Sequence, residues 1–245
     1  LLDPYDEIAM GVFADQTAAK YDITRAEQDA YAIRSYQNAA LNTENGVLSN
    51  EIVGVCVPQR RGEPRLILED EEYKNVKFEK IPQLRAAFSP TGTVTAANAS
   101  TMNDGAAALI LASAAAVKKY DLKPLAKILS FADTAHEPAW FTTAPTHAAP
   151  KALALAKLAV TDVDYFEVNE AFSVVPLAFN KILNIDINKV NVLGGAVSLG
   201  HPLGASGARI VTTLQNVLQS KDATIGCAAI CNGGGGASAL VIERV

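Results

Sequence analysis

A chain of 245 residues, 49% of them hydrophobic, carries enough apolar material to bury a sizeable core as one large or two small domains. Charged residues make up only 19%, and a formal net charge of −5 argues against a nucleic-acid partner. No apolar run approaches the roughly 20 residues of a membrane span, and Cys56, Cys227 and Cys231 offer no disulfide framework, which suits a reducing compartment.

The opening residues Leu1-Leu2-Asp3-Pro4-Tyr5 lack an initiator Met and a charged leader, so the chain is expected to begin inside a longer protein. Residues 15–42 read as helical, and Thr24-Arg25-Ala26-Glu27 fits a capping box at a helix start. Glu51 to Val57 reads as a short strand, followed by charge-rich turns as far as Glu72. That section is expected to be a loop-rich excursion. Ala96-Ala97-Asn98-Ala99-Ser100 is a run of small residues that suits a backbone approaching a ligand closely.

Ala106 to Leu111 reads as a buried strand, Ser113 to Tyr120 as a helix, and Pro124 to Phe131 as a strand. Pro150 fits the first turn of a helix that continues to Leu158. Tyr165 to Val168 and Val190 to Val192 read as strands. Ile210, Val211, Leu214, Val217 and Leu218 mark one face of a helix, and Ile225 to Ile230 and Ala239 to Ile242 close the sheet. Such alternation predicts an α/β fold with a parallel or mixed sheet. Residues 104–111 echo residues 235–242, either by chance or because the fold is duplicated.

Three polar clusters stand at strand ends or tight turns. Asn169-Glu170-Ala171-Phe172 follows a buried strand, where α/β sheets place ligands, although Asn169 by itself reads more readily as a turn residue. In Gly194 to Gly207, five glycines bracket His201 just ahead of a helix, a setting that presents an imidazole beside a helix N-terminus. His136 and His147 lack such a setting and read as structural. Cys231 stands at a strand end against four glycines, where its sulfur is expected to be accessible and nearby amides to lower its pKa. Cys227, on the same side of that strand, reads as a small core residue. The Cys227–Cys231 spacing does not fit a zinc pair, and the Gly run lacks the context of a dinucleotide fingerprint.

Asn169-Glu170-Ala171-Phe172, Gly200-His201-Pro202 and Cys231-Asn232-Gly233-Gly234-Gly235 resemble the three C-terminal signature motifs of thiolases, in order and separation. Thr93 to Ser100 and Asn103 to Ala107 match further blocks, so the resemblance spans the chain. Ile230 to Ser238, Phe131-Ala132-Asp133 and Glu137-Pro138 are closest to the eukaryotic acetoacetyl-CoA thiolases. The resemblance implies layers α-β-α-β-α in duplicated halves, with most of the N-terminal half lying outside these residues. Residues 1–103 would be a partial loop domain, 104–124 the last piece of the N-terminal domain, and 125–245 the C-terminal domain.

The implied activity is Claisen condensation of two acetyl-CoA molecules to acetoacetyl-CoA, and its reversal. Cys231 would be the acid and base at the α-carbon. His201 would activate the acyl-carrying cysteine and bind a thioester oxygen, and Asn169 would hold a water in the oxyanion hole. Coenzyme A and substrate contacts carry over to Met10, Tyr36, Phe88, Ser100, Ala171 and Phe172. A potassium ion is implied at Tyr36, Ala96, Ala97, Ala99 and Val197, and no other cofactor is required. The expected partners are acetyl-CoA and acetoacetyl-CoA in an intracellular homodimer or homotetramer, cytoplasmic or mitochondrial, with no nucleic acid and no membrane. A degradative 3-ketoacyl-CoA thiolase and a non-catalytic coenzyme A-binding fragment are the alternatives.

Two departures stand out. The acyl-carrying cysteine of thiolases sits in a Cys-Ala/Ser-Ser context that none of the three cysteines shares, so these residues alone are expected to be inactive. Ala9 also stands where most biosynthetic relatives place a histidine.

Overall fold

The computed structural model describes residues 1–245. The chain opens on two helices, α1 (Met10–Lys20) and α2 (Arg25–Glu44). The predicted capping box separates them. Thr24 Oγ1 accepts from Glu27 N–H at 3.2 Å while the Glu27 carboxylate accepts from Thr24 N–H at 2.6 Å, so two otherwise orphaned amide donors are satisfied.

After α2 the chain makes the loop-rich excursion. Its only ladder is an antiparallel pair, β1 (Val55–Val57) with β2 (Arg65–Ile67). The strand expected over residues 51–57 is therefore cut to its last three residues. Glu51 instead turns its carboxylate to Thr213 Oγ1–H and Asn216 Nδ2–H, at 2.9 and 3.0 Å.

A four-stranded sheet forms the centre of the C-terminal half, in the order β3 (Ala126–Ala135), β6 (Gly236–Arg244), β5 (Ile225–Asn232), β4 (Tyr165–Val168). β4 runs parallel to β5 and the other pairings are antiparallel. Alternation along the strands divides the side chains between two helical layers. Phe166, Val168, Cys227, Ala229, Cys231, Ala237, Ala239 and Val241 join a core of 27 buried residues with Phe13 and Ala14 of α1, Ala148 and Ala152 of α4 (Pro145–Leu155), and Val175 and Phe179 of α5 (Val174–Leu183). On the opposite face Ala228 and Ile242 meet Ile210, Leu214 and Leu218 of α7 (Ser206–Ser220), three apolar positions at helical spacing. Each such side chain contributes roughly 1.5–3 kcal/mol on burial. The expected α/β class with helices on both faces of a mixed sheet holds.

Three expectations fail locally. Ala106 to Leu111 is not a buried strand. It runs outside any ladder, with Ile110 96% and Leu111 75% exposed, because the sheet ends at β3 and β4 and neither edge reaches this segment. Only the second copy of the echoed pattern is a strand. The helix expected to start at Pro150 begins at Pro145, continuing a 3-10 stretch over Pro138–Thr143. Pro150 then lies inside α4 and gives up one amide donor. Val190 and Val192 make only isolated bridges, to Phe166 and Gly194. The helix expected from Ser113 is present as α3 (Ala114–Tyr120), with the Ser113 hydroxyl capping Ala116 N–H at 3.2 Å.

Candidate active site

The parallel strands β4 and β5 end on the same side of the sheet. Asn169 N–H donates to Ala229 O at 2.9 Å, so the ladder continues one residue past β4 and holds Asn169 beside the end of β5, where Cys231 lies. From the α7 side comes His201. It follows α6 (Ala196–Leu199) and Gly200, whose φ of 90° and ψ of 167° form a backbone conformation reserved for glycine. A side chain at Gly200 would also collide with Asn103. His201 N–H is fixed on Thr101 O at 2.9 Å.

Both imidazole nitrogens are engaged. Asn169 Nδ2 lies 3.3 Å from His201 Nε2, and His201 Nδ1 lies 2.6 Å from Ser206 Oγ. Ser206 Oγ donates onward to Pro202 O at 3.0 Å, so it receives the proton of Nδ1. This direction of donation places the proton on Nδ1 and the lone pair on Nε2, turned toward Asn169. Burial, aided by the Arg209 charge, pushes the His201 pKa down to about 4. The imidazole is therefore neutral near pH 7, with a basic Nε2. Ser206 was not singled out by the sequence. Its spacing from His201, with Pro202 and Gly204 between, is the signal that could have found it.

Cys231 corrects one expectation. It is 7% exposed rather than accessible, and burial pushes its thiol up to about 12 instead of down, with only a weak opposing backbone contribution. Its surroundings are the apolar face of the sheet, where no cation or array of amide donors favours a thiolate. No hydrogen bond joins Cys231 to Asn169 or His201. Cys227, two residues before Ala229 on the same face, is wholly buried, as expected of a core residue.

Glu170, next to Asn169, is 0% exposed and yet surrounded by donors. Its Oε1 accepts from Tyr31 OH at 2.8 Å and Asn191 Nδ2 at 3.0 Å. Its Oε2 accepts from Ser35 Oγ at 2.7 Å and Val197 N–H at 3.0 Å. Gly195 leaves room for it, since a Cβ there would overlap the carboxylate. One carboxylate thus links α2, the end of β4 and the glycine-rich turn before His201.

The residues named for coenzyme A converge on one wall. Phe88 stacks edge-on with Phe172 at 6.0 Å, and Ser100 donates through N–H and Oγ to Ala171 O at 3.1 and 2.8 Å. The Phe88 ring lies over Gly11, and the Met10 Cε approaches Gly233 beside Cys231. Tyr36 stands apart from this wall. It packs with Ala32 and Val197 and meets Phe78 at 6.4 Å. The Tyr36 hydroxyl makes no hydrogen bond within the chain, and the carbonyls of Ala96, Ala97 and Ala99 accept none from the backbone. Neutral oxygen donors of this kind suit a large monovalent cation, and no group of three or more His, Cys, Asp or Glu side chains offers a transition-metal site. His136 and His147 meet edge-on at 4.9 Å, with His136 Nε2 2.9 Å from Trp140 O and His136 N–H donating to Gly235 O at 2.9 Å, in the glycine run after Cys231.

Residues 1–115 match the thiolase N-terminal domain and residues 122–244 the thiolase C-terminal domain. An acetyl-CoA acetyltransferase of Schizosaccharomyces pombe is 54% identical over 246 residues, covering all of this chain and 62% of the relative. A thiolase from Ascaris suum in complex with coenzyme A superposes with a TM-score of 0.91 at 44% identity, and the acetyl-CoA acetyltransferase of Bacillus anthracis with 0.97 at 39%. Each covers the whole of this chain and 62% of the other. The chain spans about six-tenths of the length of the relatives it matches, and it belongs to the thiolase family.

Proposed function

We propose that the polypeptide carrying these residues is an acetyl-CoA C-acetyltransferase, joining two acetyl-CoA molecules into acetoacetyl-CoA and free coenzyme A and catalysing the reverse thiolysis. The observation that carries the reading is the hydrogen-bonded line Asn169–His201–Ser206–Pro202, at the strand ends beside the Cys231 loop. Relatives named acetyl-CoA acetyltransferase at 54% identity support the choice of substrate.

In this reading the Nε2 lone pair of His201 takes the proton of the acyl-carrying cysteine, which none of Cys56, Cys227 and Cys231 matches in context. The freed thiolate attacks the thioester carbonyl, the carbon–sulfur bond breaks, and the departing coenzyme A thiolate takes the proton of Cys231, which leaves Cys231 as the thiolate base for the next step. The protonated Nε2 and a water on Asn169 then face the thioester oxygen of the second acetyl-CoA. Cys231 removes a proton from its methyl carbon. The C–H pair becomes the enolate, whose oxygen those donors stabilise, and each well-placed donor is worth roughly 3–4 kcal/mol. The enolate carbon attacks the acyl carbon and expels the cysteine thiolate. In thiolysis the steps reverse, and Cys231 delivers its proton to the enolate carbon. Burial keeps Cys231 as a thiol, the form that this return of a proton requires.

Met10, Phe88, Ser100, Ala171 and Phe172 would line the coenzyme A path. A potassium ion, implied by the resemblance at Tyr36, Ala96, Ala97, Ala99 and Val197, would be held there by oxygens that include the three alanine carbonyls left free of backbone bonds, and would supply a fixed positive charge. A homodimer or homotetramer is the expected assembly. The test is thiolysis of acetoacetyl-CoA against a long-chain 3-ketoacyl-CoA, in wild type and Cys231→Ala. Acetoacetyl-CoA should be preferred, and Cys231→Ala should lose about 100-fold or more in kcat. A preference for the long chain would replace the substrate assignment, and an unimpaired Cys231→Ala would sink the mechanism.

A further inference from the structure

Directly behind the Asn169–His201 contact lies a pair of charged residues that the mechanism does not use. Glu167 belongs to β4 and is 1% exposed. Arg209 belongs to α7, and its Nη1 lies 3.6 Å from Glu167 Oε2. Neither Glu167 Oε1 nor Arg209 Nη1 has a hydrogen-bond partner, so this approach is their principal polar contact. Burial pushes the Glu167 carboxyl well above the usual carboxylate range, the Arg209 charge opposes that, and the Arg209 side chain keeps 19% of its surface exposed. A polar pair so largely withdrawn from water is not retained for stability alone, because well-packed apolar residues do as well or better.

Its placement suggests a purpose. Glu167 precedes Asn169 by two positions, which puts both on the same side of an extended strand. Arg209 follows Ser206 by three positions, which puts both on the same face of a helix. Strand and helix are therefore joined by two rungs. The upper rung is Asn169–His201–Ser206, at 3.3 and 2.6 Å, and the lower rung is Glu167–Arg209. On the other side of Arg209, Glu51 accepts from Thr213 and Asn216 of α7, which fixes the same helix from the excursion.

We propose that Glu167 and Arg209 are positioning residues for the acyl-transfer site: their pairing sets the spacing of α7 from the end of β4, and with it the Asn169–His201 contact. The proposal rests on the acetyltransferase reading. The charged groups that feel Arg209 are Glu167, Glu51, Asp70 and His201, and Glu170, Glu51 and Arg34 also act on Glu167.

The test compares Arg209→Lys, Glu167→Gln and the double variant Glu167→Leu/Arg209→Met in the polypeptide that carries the whole activity. Arg209→Lys keeps the charge but loses the planar fork. It should lower kcat about 10–100-fold with KM little changed, as expected of a misplaced catalytic group, and leave the acid limb of the pH profile in place. Glu167→Gln should lower kcat similarly. The double variant should melt near the wild-type temperature, lose the same kcat, and move the acid limb to higher pH, because the cation near His201 is gone. If Glu167→Gln fails to fold, Arg209→Lys and the double variant carry the test. Wild-type kcat in these two, or a loss confined to KM, overturns the proposal. Imidazole nitrogen resonances of His201 separate the two readings. A changed Nε2 resonance in Arg209→Lys, which keeps the charge, in a protein without thiolysis activity sinks the function and keeps the positioning. Unmoved resonances sink the positioning whatever the activity.

Discussion

Replacing Glu170 by Gln removes one acceptor from a site where four donors converge. With the amide oxygen at the Oε1 position, Tyr31 OH and Asn191 Nδ2 keep their acceptor, and the new NH2 faces Ser35 Oγ and Val197 N–H. The serine hydroxyl can rotate and accept, but the backbone N–H cannot. With the amide turned over, the NH2 faces Asn191 Nδ2, and Asn191 cannot flip because its Oδ1 accepts from Val168 N–H at 2.8 Å. Either orientation buries one donor against another, a cost of about 1–3 kcal/mol, and the remaining bonds lose their charge assistance. The expected destabilisation of Glu170→Gln is about 2–4 kcal/mol, read as a lower denaturant midpoint at unchanged slope and a melting temperature lower by about 5–15 °C. A change below about 0.5 kcal/mol, the range of an ordinary surface substitution, would refute the view that four donors converging on one side chain hold these elements together.

Other outcomes follow from the same geometry. The His201 pKa is lowered from 6.5 to about 4, so the unfolded chain takes up this proton first as the medium is acidified. Stability should therefore be full above pH 6.5 and fall between 6.5 and about 4, by up to about 3 kcal/mol. Urea titrations of wild type and His201→Gln should differ by that slope, and parallel profiles would refute it. Gly200→Ala forces a side chain into a glycine-only conformation and against Asn103. It should cost about 1–3 kcal/mol, measured by denaturation, and weaken the His201 NMR signature of an Nδ1-protonated tautomer. If potassium occupies the carbonyl cluster, potassium chloride should stabilise the protein beyond equal sodium chloride, by about 2.7 kcal/mol at about 100 times its Kd. Tyr36→Phe should narrow that difference, and equal melting curves in the two salts would remove the ion.

The three polar clusters could be read from the sequence because each depends on local backbone. A strand end before Asn169, a glycine turn before His201 and a glycine run after Cys231 are patterns of a few adjacent residues. What escaped the reading depends on residues far apart in the chain. The Glu170 network joins positions 31, 35, 191 and 197, and no short window contains them. Cys231 sits beside flexible glycines in sequence, but its side chain turns to the apolar face that Phe166, Ala229 and Ala239 build, which reverses the expected direction of its pKa shift. Ala106 to Leu111 has every composition cue of a strand and lacks only a neighbour to pair with. Pro150 misled because a proline suits both a helix start and, less often, an interior whose first turns are already formed.

The attachment of α2 differs in balance from that of α7. α7 meets the sheet through Ile210, Leu214 and Leu218, where substitutions of similar volume are tolerated, and through polar contacts at Ser206, Arg209, Thr213 and Asn216. α2 reaches the site through directed donors, Tyr31 and Ser35 on Glu170 and Arg34 Nη2 on the Ile187 and Val190 carbonyls at 2.9 and 3.0 Å, and these tolerate neither rotation nor translation. The excursion that hangs between α2 and the wall at Phe88 carries a ribbon whose side chains are almost all exposed. Length and sequence are thus free to drift in the ribbon while the helix that bears it stays fixed, which makes residues 54–68 the place to graft a tag or a fluorophore without disturbing the chemistry.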